Sequence, residues 1–495
     1  MVAAGDHRSR TFGARPENEE IEAMESSALT LAQCLELQRA AHRANPYPDL
    51  EQRKGHLAAL HRFLQENEAA IIAAIDADFG VRPATETRLL ELFPVRQGIR
   101  DATGQLAKWM RSQRRSVDRL IFPGATNHVV PQPLGVVGVM VPWNFPIQLA
   151  FGPLVDILAA GNHAMVKMSD RSVHLARLLI EVFPRYLPTG KVAFFEDLGR
   201  GPEFSKLPFD HLLFTGSSGV GRAVMASAAA NLCPVTLELG GKAPAVVAPD
   251  FPLATAAERI LWAKCMNAGQ VCVNVDYLFL PEGSADAFVA HAKRLIAERY
   301  PDLNGPDYTT IIDQPDFDRL VATLADAQAR GATVINLAPD QQLDARRRKI
   351  APHIVLGVSD EMTIMKEEIF GPLLPVKPYR EADEVIAYVN AHDRPLAFYP
   401  FTNDKRLAER YITEVLSGSV GVNEAIVQVG QHDLPFGGVG ASGMGHYHGY
   451  EGFLTFSKLR PVFRQARISS IQAVLQPPYG RLAKFALDWM FRLRG

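Results

Sequence analysis

The chain has 495 residues, 47% of them apolar and 21% charged, which is enough for about two or three domains with filled cores. Its formal charge is −2 and its pI ≈ 6.7, so no basic field invites nucleic acid. Four cysteines, Cys34, Cys233, Cys265 and Cys272, show no C-x-x-C spacing, which argues against a disulfide framework and for a reduced, cytoplasmic setting.

Residues 1–27 combine early arginines with the acidic run from Glu17 to Glu22 and lack the apolar core of a secretory signal, so a mobile extension is expected there. No apolar stretch reaches the roughly 20 residues that a membrane-spanning helix needs. From about 30 to 118, apolar positions recur at helical spacing. From Leu134 to Ala248 the pattern alternates. Val136 to Val141, Ala164 to Lys167, Val192 to Phe195 and His211 to Phe214 read as strands, whereas Val155 to Ala160, His174 to Phe183 and Val220 to Asn231 read as helices. That alternation predicts a doubly wound α/β domain with a parallel sheet. A second α/β series follows Gly241, with helices at Ala254 to Lys264 and Ser284 to Arg299 and a strand at Tyr277 to Leu280. Residues 418–445 are rich in glycine and favour tight turns. In Arg481 to Arg494, Leu482, Phe485, Ala486, Trp489, Met490 and Leu493 share one helical face bordered by Arg481, Lys484, Arg492 and Arg494. Packing against protein is the first expectation for that face, with a weak membrane-surface contact as the alternative.

The chemistry centres on Cys272, in Asn267-Ala268-Gly269-Gln270-Val271-Cys272, and Glu238, in Glu238-Leu239-Gly240-Gly241-Lys242. A thiol and a carboxylate are what a protein needs to form a thioester and hydrolyse it with an activated water. The thiolate is the nucleophile, and bringing a free cysteine from a pKa near ~8.5 to about 7 takes roughly 2 kcal/mol of anion stabilisation. A lone intracellular cysteine is otherwise a small buried hydrophobe.

The stretch from His211 to Gly221 is a strand running into a glycine-rich turn, with Gly216, Ser217 and Gly221 before and inside the next helix. Such a turn aims backbone N–H groups and a positive helix end at a pyrophosphate. Its spacing is neither G-x-G-x-x-G nor a P-loop, since Arg222 and Ala223 stand where Lys and Ser or Thr are required. Lys167 closes a neighbouring strand at the edge where open α/β sheets bind ligands. Taken singly, the turn is equally a structural connection and the lysine a surface charge.

Together the motifs Pro142-Trp143-Asn144-Phe145-Pro146, Lys167, Phe214-Thr215-Gly216-Ser217, Glu238 to Lys242, Gly269 to Cys272, Glu367-Glu368-Ile369-Phe370-Gly371-Pro372 and Pro435-Phe436-Gly437-Gly438 resemble, in order, the signatures of the aldehyde dehydrogenase superfamily. The chain looks most like the class 3 group, and its tail from Gly438 to Gly449 is similar to bacterial coniferyl-aldehyde dehydrogenases. The resemblance implies a Rossmann-type cofactor domain at 28–120 and 137–240, a catalytic domain at 241–430, and a small β bridging and oligomerisation element at 121–136 and 431–475, followed by an amphipathic tail at 476–495. It implies a homodimer acting on a small-molecule aldehyde. Cys272 would attack the aldehyde, Asn144 and the Cys272 N–H would hold the oxyanion, and Glu238 would activate water. Trp143, Lys167, Asp170, Gly216, Ser217, Gly221, Glu368 and Phe370 would meet the cofactor, with no metal.

Two departures from the family pattern stand out. The family's K-P-S-E is Lys167-Met168-Ser169-Asp170 here, which shortens the carboxylate facing the ribose, and Ala441 replaces a frequent proline. NAD is the expected cofactor, with NADP use left open. A bulky aromatic aldehyde such as coniferyl aldehyde is the expected substrate, the alternatives being a medium- or long-chain fatty aldehyde or a non-catalytic cofactor-binding relative. Retention of Glu238 argues against transfer to coenzyme A. His432, His446 and His448 read as turn or interface residues, Arg346 to Lys349 as a solvated loop, and Cys265 as buried.

Overall fold

The computed structural model describes residues 29–119, 121–343, 345–467 and 474–494, so the extension expected at 1–27 lies outside the described residues. Helix α1 (Leu31–Ala44) begins at Thr30, whose hydroxyl accepts from the Gln33 N–H at 3.2 Å while the Gln33 side chain accepts from the Thr30 N–H at 2.9 Å. α2 (Leu50–Glu66) repeats this reciprocal cap with Asp49 and Gln52. After α3 (Glu68–Phe79), a short helix at Ala84–Thr87 runs through a π-helical turn at Arg88–Leu92 into α4 (Phe93–Trp109). The helical layer is pinned to α5 (Gln148–Ala160) by rings: Phe63 stacks on Phe151 at 5.5 Å, and Phe183 meets them edge-on at 5.0 and 5.8 Å.

Three sheets follow. The smallest is antiparallel, β1 (Gln113–Arg115) and β16 (Ser457–Arg464) flanking β2 (Thr126–Pro133). The boundary expected at residue 120 therefore falls between two strands that pair with each other. The polar triplet of β1 carries no apolar alternation that would have marked it as a strand.

The six-stranded sheet has the order β15-β7-β6-β3-β4-β5, built from β3 (Val136–Met140), β4 (His163–Lys167), β5 (Val192–Phe195), β6 (His211–Gly216), β7 (Val235–Leu239) and β15 (Gly443–Met444). All pair in parallel except β15, which runs antiparallel along β7 with Gly443 opposite Glu238. α6 (Val173–Val182) and α7 (Ser218–Ala229) belong to this α/β unit. From β3 the chain goes outward to β4 and β5 and then returns to β6 on β3's other side. That reversal opens a crevice at the strands' carboxyl ends, where Asn144, Lys167 and Gly216 lie.

The seven-stranded sheet has the order β10-β11-β12-β9-β8-β13-β14. Its strands are β8 (Pro244–Val247), β9 (Tyr277–Pro281), β10 (Thr333–Asn336), β11 (His353–Leu356), β12 (Leu373–Tyr379), β13 (Ala397–Phe401) and β14 (Ser419–Val420). Only β10 runs antiparallel. The accompanying helices are α8 (Leu253–Cys265), α9 (Ala285–Arg299), α10 (Gln314–Ala329), α11 (Ala382–Asn390) and α12 (Lys405–Glu414), with α13 (Gly449–Thr455) and α14 (Arg481–Arg494) closing the chain.

One expectation is corrected. The basic run is not wholly a solvated loop, because Lys349 is buried and donates to the carbonyls of Gly305 and Tyr308, and Arg348 donates to Ile311 and Phe79. The run is tied down by carbonyls far away in sequence. In α14, Ala483 is buried and Ala486 and Met490 are half-buried, while Leu482, Phe485 and Trp489 remain 65%, 69% and 45% exposed, so much of the apolar face is left open on the single subunit. Among the described residues no helix is long and apolar enough to cross a membrane. The four cysteines are free, and Cys265 is buried.

Candidate active site

The loop that carries Cys272 begins where α8 ends. Asn267, Ala268 and Gly269 take φ values of 51°, 50° and 78°, three successive left-handed residues just before Cys272. Such a run is costly for side-chain-bearing residues and persists only when neighbours over-determine it. The Gln270 amide supplies much of that constraint: its Nε2 donates to Asn267 O at 2.9 Å and Thr310 O at 3.0 Å, and its Oε1 accepts from the Ile312 N–H at 2.9 Å. Asn274 adds a 2.8 Å bond to Gly269 O. Gly269 is required twice over, since a Cβ there would lie 2.3 Å from Gly371 O.

Cys272 is half-buried at the floor of a cleft of about 510 Å³ between the two large sheets, a floor it shares with Asn144 and Glu238. Burial, followed by the fields of Glu368 and Glu238, pushes its thiol up to about 12, against which the backbone N–H groups of Cys272 and Val273 pull. Burial therefore works against the thiolate, and any positive charge brought beside it would favour ionisation. Glu238, on β7, is buried with no protein partner for either oxygen, and burial raises its pKa well above the carboxylate range. Asn144 is buried; its side-chain amide donates one bond to Gln270 O at 3.2 Å, which leaves its second N–H for a ligand.

Toward the other end of the cleft, Lys167 donates to Asp197 Oδ2 at 2.7 Å and to Met168 O at 3.3 Å. Asp170 accepts from Ser169 Oγ at 3.0 Å and is exposed. Ser217 caps α7 by accepting from the Val220 N–H, so the helix's positive end faces the crevice. Burial and Asp276 push Glu368 up to about 8, opposed by the Gly241 N–H, Lys242 and Arg319, and its Oε1 has no protein partner. Gly240 makes room for that carboxyl, since a Cβ there would lie 2.0 Å from Glu368 Oε2. Lys242 is pinned by Asp276 and by the carbonyls of Ile364 and Glu367, holding the segment that presents Glu368. Phe370, at φ 49°, packs edge-on against Trp143 at 5.5 Å.

Of the residues singled out from sequence, all but Gly221 line this one cleft. A Cβ at Gly221 would lie 2.6 Å from Leu239 Cδ2, so that glycine is explained by close packing of α7 on β7. Sequence reasoning missed Asp197, which neutralises Lys167. It also missed Arg171, which pairs with Asp313 at 3.0 Å and Asp316 at 2.5 Å while lying over the Trp143 ring at 5.5 Å. Arg319 extends that clamp to Asp316 and Ile369 O. No motif links Lys167 to Asp197 or Arg171 to Asp313 and Asp316, because these pairs are brought together only by the fold. His448 is buried against Phe436 and Tyr447, and its backbone N–H donates to Asp156.

Comparison with known proteins agrees with this geometry. The aldehyde dehydrogenase family model matches residues 15–462. A probable coniferyl aldehyde dehydrogenase of Pseudomonas aeruginosa is 48% identical over 90% of this chain and 92% of its own length. A coniferyl aldehyde dehydrogenase of Pseudomonas sp. strain HR199 is 46% identical over 91% and 94%. The solved substrate-bound state of Staphylococcus aureus AldH superposes with a TM-score of 0.87 at 31% identity, covering 94% of this chain and all of that one. The chain belongs to the aldehyde dehydrogenase family.

Proposed function

We propose that this enzyme oxidises a bulky aromatic aldehyde such as coniferyl aldehyde to its carboxylic acid, with NAD as cofactor. What supports the reaction is the meeting of Cys272, Asn144 and Glu238 in one cleft that continues to Lys167 and Glu368. Cys272 Sγ, its proton released to solvent, attacks the carbonyl carbon, and the free amide N–H of Asn144 together with the Cys272 N–H takes the developing oxyanion. A bound NAD would supply the acceptor for the hydride on this carbon. The resulting thioester is cleaved by a water whose proton passes to Glu238, a carboxylate with no competing partner inside the protein.

The residues fit a dinucleotide. Glu368 Oε1 lacks a partner that a ribose hydroxyl would supply, and the α7 end suits a pyrophosphate. NAD is favoured over NADP because Lys167 is already paired with Asp197, and Asp170 adds negative charge to the same cleft, which would oppose a 2′-phosphate. The aromatic substrate rests on the two Pseudomonas relatives and on Leu149, Phe370 and Phe436 in the cleft wall. The test is NADH and acid formation from coniferyl aldehyde without coenzyme A, compared with a medium-chain alkanal. Preference for the alkanal refutes the substrate, and a requirement for coenzyme A refutes hydrolysis.

The enzyme works as a cytoplasmic homodimer on this reading: a reactive thiol suits a reducing compartment, and Leu459 and Phe463 of β16 are exposed for a partner. The outward apolar face of α14, bordered by Arg481, Lys484 and Arg492, would make weak contact with an anionic membrane surface. Co-sedimentation with anionic liposomes that persists after removal of residues 476–495 would refute that contact.

A further inference from the structure

The oxyanion donor Asn144 is held from behind by a charge that takes no part in the chemistry. Arg82, between α3 and the short helix at Ala84–Thr87, is 2% exposed and donates from Nη1 to Asn144 O at 3.0 Å. Its guanidinium lies over the rings of Phe79 and Phe145, at 4.9 and 5.1 Å, which fixes its plane. The same Nη1 pairs at 2.9 Å with Glu91 Oε1, both side chains being fully buried. The other Glu91 oxygen accepts from the Ile147 N–H at 2.7 Å, at the far end of the loop that begins with Asn144. One buried ion pair thus grips this loop at both ends.

The loop is also coupled to the nucleophile. Asn267 Nδ2 donates to Asn144 O at 3.3 Å and to Gln270 O at 3.1 Å, the oxygen that the Asn144 amide itself addresses. The Asn267 N–H is held in turn by Glu86 Oε1 at 3.1 Å. The helical layer therefore sets the relative aim of the two groups that must converge on one carbonyl.

We propose that Arg82, braced by Glu91, is a positioning residue for oxyanion stabilisation: it fixes the Asn144 backbone so that the free amide N–H points at the oxygen of the cysteine adduct. The proposal rests on the reaction assigned above. Burying this pair costs desolvation that apolar packing would avoid, which fits a pair whose contribution is the geometry it imposes. Arg82→Lys keeps the charge for Glu91 but replaces a planar fork clamped between two rings with a flexible ammonium.

The test is a double-mutant cycle between Arg82→Lys and Asn144→Ala, read as kcat/KM for the aldehyde, with NAD affinity and the rate of Cys272 alkylation by iodoacetamide as controls. Misplacing an oxyanion donor costs about 10- to 100-fold, so Arg82→Lys should lower kcat/KM by that factor. NAD affinity and alkylation, which need no oxyanion donor, should stay within about twofold. In the Asn144→Ala background the same substitution should cost almost nothing further. Additive losses in the cycle, or a parallel fall in alkylation and NAD affinity, would overturn the proposal. Glu91→Gln, which retains an acceptor for Ile147, should reproduce the pattern and serves if Arg82→Lys does not fold; additive losses there overturn the proposal equally. A wild type active on aldehydes and unaffected by either substitution overturns this proposal alone, whereas a wild type inert toward every aldehyde overturns the assigned function as well.

Discussion

Gly240 offers a way to separate cofactor handling from stability. A methyl at this position would lie 2.0 Å from Glu368 Oε2, 2.6 Å from its Cδ and 2.7 Å from Oε1. An ordinary carbon–oxygen approach is about 3.3 Å, so the carboxyl must retreat by more than 1 Å. The three nearest atoms all belong to the Glu368 side chain and Gly240 has no left-handed φ, so the Gly240→Ala chain should fold while that side chain absorbs the clash by changing rotamer. Shifting a ligand-positioning group by about 1 Å costs up to roughly 100-fold in rate. The expected result is a loss of that order in kcat/KM for NAD at saturating aldehyde, with Tm within a few degrees of wild type and unchanged alkylation of Cys272. Gly269→Ala is the contrast. Its methyl would meet the backbone of Gly371 at 2.3 and 2.4 Å and its φ is 78°, so backbone strain and overpacking together cost roughly 2 to 5 kcal/mol. Steady-state NADH formation and thermal unfolding of both variants decide the matter. Unchanged NAD kinetics in Gly240→Ala, or a loss explained by unfolding, would refute the seat assigned to Glu368.

Glu238→Gln should release about one NADH per subunit and then stall, because the thioester forms but its water has no base; continued turnover at the wild-type rate speaks against Glu238 as that base. Asp197→Asn frees Lys167 and should raise the NADP-to-NAD ratio of kcat/KM at least tenfold by order of magnitude, measured with both cofactors; an unchanged ratio removes Asp197 from cofactor choice. Burial holds His211 down to about 4 and His163 and His448 down to about 3. The folded state then binds fewer protons than the unfolded one below pH ~6.5, and each imidazole removes up to about 1.4 kcal/mol of stability per pH unit as pH falls from there toward its folded value. Denaturant midpoints followed by circular dichroism should drop steadily from pH 6.5 to 4.5; a flat profile contradicts the neutral burial of these rings.

The elements that build the cleft were legible because their patterns are local. Strand β5 begins and ends where its apolar run does, and β9 differs from expectation by one residue. Other strands shifted slightly: β3 stops at Met140, and β6 continues to Gly216 because its backbone still pairs with β7. The cleft-lining residues came from motifs whose spacing is fixed by turns and strand ends. Arg82, Asp197 and Arg171 were invisible for the opposite reason. Each acts through a partner on another element, and an isolated arginine or aspartate in sequence is indistinguishable from a surface charge. Gly221 is ambiguous in sequence, because a glycine needed for helix-to-strand contact looks the same as one needed for close approach to a ligand.

The strand bearing Glu238 gains its outer neighbour only from Gly443 and Met444, near the other end of the polypeptide. A ribosome-bound precursor thus carries its thiol long before the edge beside Glu238 is sealed. Such late, distant pairing slows assembly, and it leaves the edge beside Glu238 open on a chain already synthesised past Cys272.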